Sequence, residues 1–176
     1  MASFVGSFAE IMITPVWTAL TERVGGSELD AGAGWAAFLI TTGIAIYLLG
    51  KSKFYKEHLQ SMVFWGFVVS GIGEFSYIFV HNKWQLFLVQ AIVGLSVGIL
   101  GPAWDSLYSD DGQQSDVERW SFWTGGISLV TGLGAIMGAA ILTYLGWNAL
   151  FISMGIIDAL AVYYSYQVLI YKEQTV

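Results

Sequence analysis

Four acids, Glu10, Glu74, Asp105 and Asp158, stand within or at the ends of apolar stretches. No Lys or Arg lies deep in any of those stretches to pair with them. A charged acid at mid-membrane costs about 3 kcal/mol or more, so such a residue is by default a candidate to move protons, hold an ion or face a polar solute. Glu10, Thr14, Trp17 and Thr21 recur at +4, +7 and +11 and share one helix face. An acid in that stripe either takes up and releases a proton or, as a neutral Glu, bonds a neighbouring helix for packing. Gln90, Gly94, Gly98, Gly101 and Asp105 lie on one face of another segment. Its glycines allow close helix approach, and Gln90 either bonds a substrate or another helix. Asp105 falls near basic loops, so a clamp to Lys51, Lys53 or Arg119 that locks an inner gate is expected. Ser70, Glu74, Tyr77 and His81 form a polar stripe, and Asp158 has Ser165 two turns along. These stripes turn inward against neighbours or meet a partner chain, and structural roles are expected of both acids.

A second pattern is a repeat. P-x-W-x-x-L-x-x-x-x-G occurs at Pro15, Trp17, Leu20 and Gly25, and again at Pro102, Trp104, Leu107 and Gly112, 87 residues on. An odd number of membrane spans, three, separates the copies, so they sit upside down relative to each other, as in the inverted repeats of secondary transporters. Proline kinks or terminates a helix. Pro15 and Pro102, near opposite membrane faces, suit paired hinges of alternating access; the plain alternative is two helix stops. Trp120 and Trp147 read as aromatic-belt anchors.

The elements that must position these residues follow from composition. The 176 residues are 56% hydrophobic and only 11% charged, against roughly 25% charged in a soluble domain, and mean hydropathy is +0.64. A span needs about 20 mostly apolar residues. Six windows qualify: Ala2–Thr21, Ala33–Gly50, Gln60–His81, Trp84–Tyr108, Glu118–Tyr144 and Trp147–Tyr171. The fold class is therefore all-α, a single six-helix transmembrane domain of two inverted three-helix repeats, about 1–82 and 83–176. The start, MASFVGSFAE, lacks a basic n-region and reads as a first span, not a cleaved signal peptide. Lys51, Lys53, Lys56, Arg119 and Lys172 fall on one side and Arg23 and Lys83 on the other. The positive-inside rule then places both termini in the cytoplasm, in an inner or plasma membrane, with one orientation.

Several classes of function find no support. There is no cysteine, hence no disulfide or thiol chemistry. His58 and His81 are isolated and give no metal-ligand spacing, and no Ser/His constellation points to an enzyme. Phosphate-cradling loops are missing, which argues against an ATP-driven machine, and no cofactor is implied. The net charge of −6 gives no footprint for nucleic acid.

With the spans placed, nearly the whole chain resembles one half of a major facilitator superfamily transporter. VGLSVGILGPAWDSLYSDD is similar to the family's fourth helix and its exit, DVERWSFWTGGISLVTGLGAIMGAAI to the Arg-led, Gly-rich fifth, and LGWNALFISMG to the entry of the sixth. GKSKFYKEH occupies the place of the cytoplasmic loop signature, with Phe54 and Glu57 near where its Asp and second Gly belong. Gly125, Gly134 and Gly138 fit the antiporter spacing, but Ala139 stands where that signature has Pro. The resemblance implies that the first helix lines a central cavity. Glu10 becomes the proton-coupling candidate, Thr14, Trp17, Gln90 and Trp104 the substrate-cavity candidates, and Pro15, Pro102, Asp105, Lys51, Lys53 and Arg119 the gate and clamp. It also implies that the helices carrying Glu74 and Asp158 lie on the outside of the bundle. Six spans supply one wall of such a cavity, and a parallel C2 dimer would supply the other. The expectation is a half-size secondary transporter moving a small solute as a homodimer in the bilayer, with protons as the candidate coupling ion. The alternative is a non-transporting assembly or interaction protein that keeps the half-transporter fold.

Overall fold

The computed structural model describes residues 1–109 and 116–173. Among these it is helical apart from short connections, without strands. Six segments are long and apolar enough to cross a membrane: Ala2–Arg23, Glu28–Leu49, Leu59–Phe79, Lys83–Ser109, Val117–Leu145 and Trp147–Gln167, here spans one to six. The protein is an integral membrane protein. Gly112, which completes the second proline–tryptophan copy, lies outside the described residues, as do Asp110 and Asp111.

Span one is not the continuous helix that its apolar run suggests. Helix Ala2–Ile11 stops, Thr14–Val16 forms a 3-10 turn, and a second helix runs Trp17–Arg23. Pro15 has no N–H to give the Ile11 carbonyl, and Val16 donates to Ile13 at 3.0 Å instead of reaching back to Met12. Pro102 behaves differently, because span four continues through it as one helix, Lys83–Ser109. Span two begins at Glu28, five residues earlier than Ala33, the start its apolar run suggests. Ser27 and Asp30 form a reciprocal capping box, with Ser27 N–H donating to Asp30 at 2.8 Å and Asp30 N–H to Ser27 at 3.3 Å. Glycines end spans one and five where the chain must reverse. Gly25 and Gly146 have φ of 79° and 84°, a region that L side chains disfavour.

Small residues let the helices meet at backbone distance. Thr42 of span two donates to the Gly94 carbonyl of span four at 2.9 Å, and Gly94 lies against the Phe38 backbone. In span five, Gly134 faces Phe8 and Ile11, and Gly138 faces the Met12 backbone at the break in span one. Gly101 and Gly125 have open space around them.

Two apolar clusters form the core. The first gathers Met12, Leu20, Tyr77, Leu86, Val93, Phe151 and Met154 among others. The second gathers Ala2, Tyr55, Val63, Phe67, Ala103 and Ala161. Tyr55 belongs to a short helix, Lys53–Glu57, in what the sequence suggests is a plain connection. Its hydroxyl donates to the Ile99 carbonyl of span four at 2.7 Å and ties the basic loop to that helix just before Pro102. Burial pushes the phenol above its ordinary range, so it keeps its proton at physiological pH. Tyr55→Phe is expected to cost about 0.5–1.5 kcal/mol, because it removes the hydrogen bond that joins the loop to span four. Thermal unfolding in detergent against wild type reads this directly, and an unchanged midpoint would show that the bond adds nothing to stability.

Candidate transport site

The break in span one opens onto a recess. Glu10, Thr14 and Trp17 meet Trp35 and Phe38 of span two, Tyr77 of span three and Gln90 of span four around a cavity of about 30 Å³. Irregular backbone at membrane depth is tolerated where it lines a cavity or is buried in protein, and the Thr14–Val16 turn does the former. Four residues singled out in the sequence, Glu10, Thr14, Trp17 and Gln90, thus come together. Glu10 is half-buried, Thr14 and Pro15 are exposed, and Gln90 is buried. At roughly 10–15 Å³ per molecule the recess has room for about two waters.

The expected stripe does not include its fourth member. Thr21 is fully buried and returns its hydroxyl to the Trp17 carbonyl at 3.1 Å. The 3-10 turn winds more tightly than an α-helix and shifts the register beyond it, so +11 no longer falls on the face of Glu10. Trp17 has a second attachment. Its indole N–H donates to the Ala31 carbonyl at 3.0 Å, and its ring lies against Gly34, where a Cβ would come within 2.7 Å. It fastens the Trp17–Arg23 piece of span one to span two.

Trp104 is elsewhere, at the end of the bundle that carries Ala2. Its ring packs on Trp123 at 5.1 Å and Tyr108 at 6.3 Å, and Phe4 of span one lies 5.0 Å from Trp123. Arg119 sits 5.2 Å above the Tyr108 ring and donates to the Ser109 carbonyl at 3.0 Å, while the Tyr108 hydroxyl donates to the Arg119 carbonyl at 2.8 Å. Spans one, four and five are closed here by an aromatic box. Tyr108, Trp123 and Phe4 carry no motif in the sequence; the i, i+4 spacing of Trp104 and Tyr108 is the one signal it holds for this box.

The acid–base clamp expected of Asp105 is not formed. Asp105 is exposed. Lys51 donates to Tyr47 at 2.6 Å, Lys53 pairs with Glu57 at 3.6 Å, and Arg119 caps the carbonyl end of span four. Each cation has a partner closer in sequence, which costs less chain ordering than a reach to Asp105. An ion pair does join helix starts at the other end of the bundle, where Lys83 meets Asp30 at 3.0 Å.

Glu74 and Asp158 turn inward. They are 1% and 0% exposed, and neither carboxylate has a hydrogen-bond partner among the described residues. Asp158 lies against Gly71, where a Cβ would be 3.7 Å from its Oδ2, and beside Ser70 without a well-formed hydrogen bond. Ser165 donates to its own helix instead.

These features, six apolar spans with a polar recess at a broken helix, suit the passage of a small polar species through a membrane. No curated protein matches the chain. The family model of the Major Facilitator Superfamily matches residues 1–173. That family consists of transporters, and the function is of transporter type. The chain belongs to the Major Facilitator Superfamily.

Proposed function

We propose that the protein is a half-size secondary transporter that moves a small solute by alternating access as a parallel homodimer, with protons coupled through Glu10. The observation that supports it best is the recess at the broken helix. It collects Glu10, Thr14, Trp17 and Gln90, yet its volume is about 30 Å³. Small-molecule sites usually hold roughly 300–1,000 Å³, so the recess is half of a site and needs a facing wall. A second copy related by an axis along the membrane normal would supply it. Spans two and five agree with this, since they are the least covered of the six, and Phe122, Leu129 and Ile136 of span five are each more than 70% exposed. On this reading both termini are cytoplasmic, in an inner or plasma membrane, as the basic residues favour. Trp17 and Pro15 mark the outer end of the pathway, Trp104 and Pro102 the inner end, in repeats of about 1–82 and 83–176.

The chain has no cysteine, so single cysteines report cleanly. Cysteine at Val117, 78% exposed, is expected to cross-link to its own copy in lipid, and the same holds for Tyr144, 83% exposed. Mixed Val117–Tyr144 cross-links, or a strictly monomeric protein, would sink the parallel dimer. Proteoliposomes of the purified chain, screened with a solute panel, are expected to show saturable flux; its absence would favour the non-transporting alternative.

A further inference from the structure

We propose that Glu74, Asp158 and Glu10 form a proton-holding site in the middle of the six-helix unit, loaded and emptied through the Glu10 recess. The proposal deepens the transport reading by naming a second position for the proton, and it rests on that reading only for its use. The argument starts from layers. Along span three, Val63 and Phe67 belong to one apolar cluster and Tyr77 and Val80 to the other, and Glu74 falls between them. Along span six, Leu150, Phe151 and Met154 belong to the first cluster and Ala161 to the second, with Asp158 between. In span one, Glu10 is flanked by Phe8 and Met12, both on the first cluster, and lines the recess beside it. Two helices thus place one acid each in a polar layer that separates two apolar halves of the core, and Glu10 of a third stands at its edge. Asp158 touches Gly71, one turn of helix before Glu74, so the two side chains are neighbours. Each lies within electrostatic reach of Glu10.

The four carboxylate oxygens of Glu74 and Asp158 are buried without hydrogen-bond partners. Two ionised carboxylates side by side in a low-dielectric interior repel each other and forfeit their hydration. Among the described residues no cation acts on either acid. The titratable groups facing the layer are Glu10 from span one, Glu74 and Tyr77 from span three, and Asp158 from span six. Span four contributes the neutral Gln90 to the recess, and its own ionisable groups, Lys83, Asp105 and Tyr108, are near its ends. Span five, packed on spans one and six, likewise carries Asp116, Glu118, Arg119 and Tyr144 only at its ends. A proton shared within the layer removes the repulsion and leaves one hydroxyl donor for the neighbouring carboxylate oxygens. A metal ion does not fit as well: among the described residues no three acids or histidines converge closely enough to hold one. Glu10 and Tyr77 line the recess, so the layer has a polar edge toward water, and a proton can pass from Glu10 inward and back.

Infrared spectroscopy of the full chain in lipid tests this without any transported solute. The C=O stretch of protonated carboxyls should be present at neutral pH, lose intensity as pH rises, and shift when the film is exchanged into D2O. Glu74→Gln and Asp158→Asn should each remove part of the band, and Glu10→Gln should slow its exchange. No protonated-carboxyl band at neutral pH would overturn the proposal. So would a band that never exchanges, which describes sealed structural acids, or one that sodium removes at constant pH, which describes a cation site. Should both layer variants fail to fold, the wild-type titration and exchange decide alone. The band is separable from transport: flux without it would discard this site, and the band without flux would keep the site and discard the transporter.

Discussion

Gly138→Ala is expected to destabilise the protein by about 2–3 kcal/mol, although alanine is the better helix former. In an open helix position the exchange gains up to about 1 kcal/mol. At Gly138 the added Cβ would fall on the carbonyl and Cα of Met12. That neighbour is backbone, held in the break of span one, and cannot swing aside as a side-chain tip would. The Met12 carbonyl is also displaced from the regular ladder, since Val16 bonds Ile13, and the glycine lets span five close over it. Overpacking of this kind costs about 1–3 kcal/mol. Gly132, also in span five, has open space around it, and Gly132→Ala should be neutral or slightly stabilising. Thermal unfolding of the two variants side by side checks the sign. Equal midpoints would mean that spans one and five are not held at backbone distance.

The class and the six spans were legible because hydropathy over about 20 residues suffices to mark a span. The same signal could not see that span one is broken, since Met12, Ile13 and Val16 are as apolar as a helix requires; only Pro15 hinted at it. The stripe at 3.6-residue spacing located Glu10, Thr14 and Trp17 and failed at Thr21, where the 3-10 turn changes the period. Glu74 and Asp158 were visible as acids out of place; they are buried together with Tyr77 and Ser165 of their stripes, while His81 is exposed. That Glu74 and Asp158 both lie between the two apolar clusters was not readable, because it depends on which rungs of two separate helices lie level. The Asp105 clamp failed for a related reason: charge and side of the membrane can be read from sequence, while the competing local partners of Lys51, Lys53 and Arg119 cannot. Tyr55 gave no sequence signal at all, because its value lies in a carbonyl 44 residues away.

Glu10→Gln is expected to abolish the dependence of transport on a pH gradient while leaving the protein folded and dimeric. The substitution keeps the shape of the side chain and its capacity to accept a hydrogen bond. It removes only the ability to alternate between neutral and charged forms. Glu10 lines the recess, and in the proposed site it is the gate between the buried pair and water. In the proposed dimer two Glu10 side chains would approach one cavity, where two charges are costly together. A neutral amide on each copy removes that cost and fixes the cavity in one charge state. The solute can then still exchange across the membrane down its own gradient, but a proton gradient no longer drives accumulation. Counterflow and gradient-driven uptake in the same proteoliposomes separate these two behaviours. Loss of both would mean that Glu10 is needed for the solute itself or for packing. Retention of the wild-type pH profile would overturn Glu10 as the gate to the buried pair, with Asp105 the next acid to substitute.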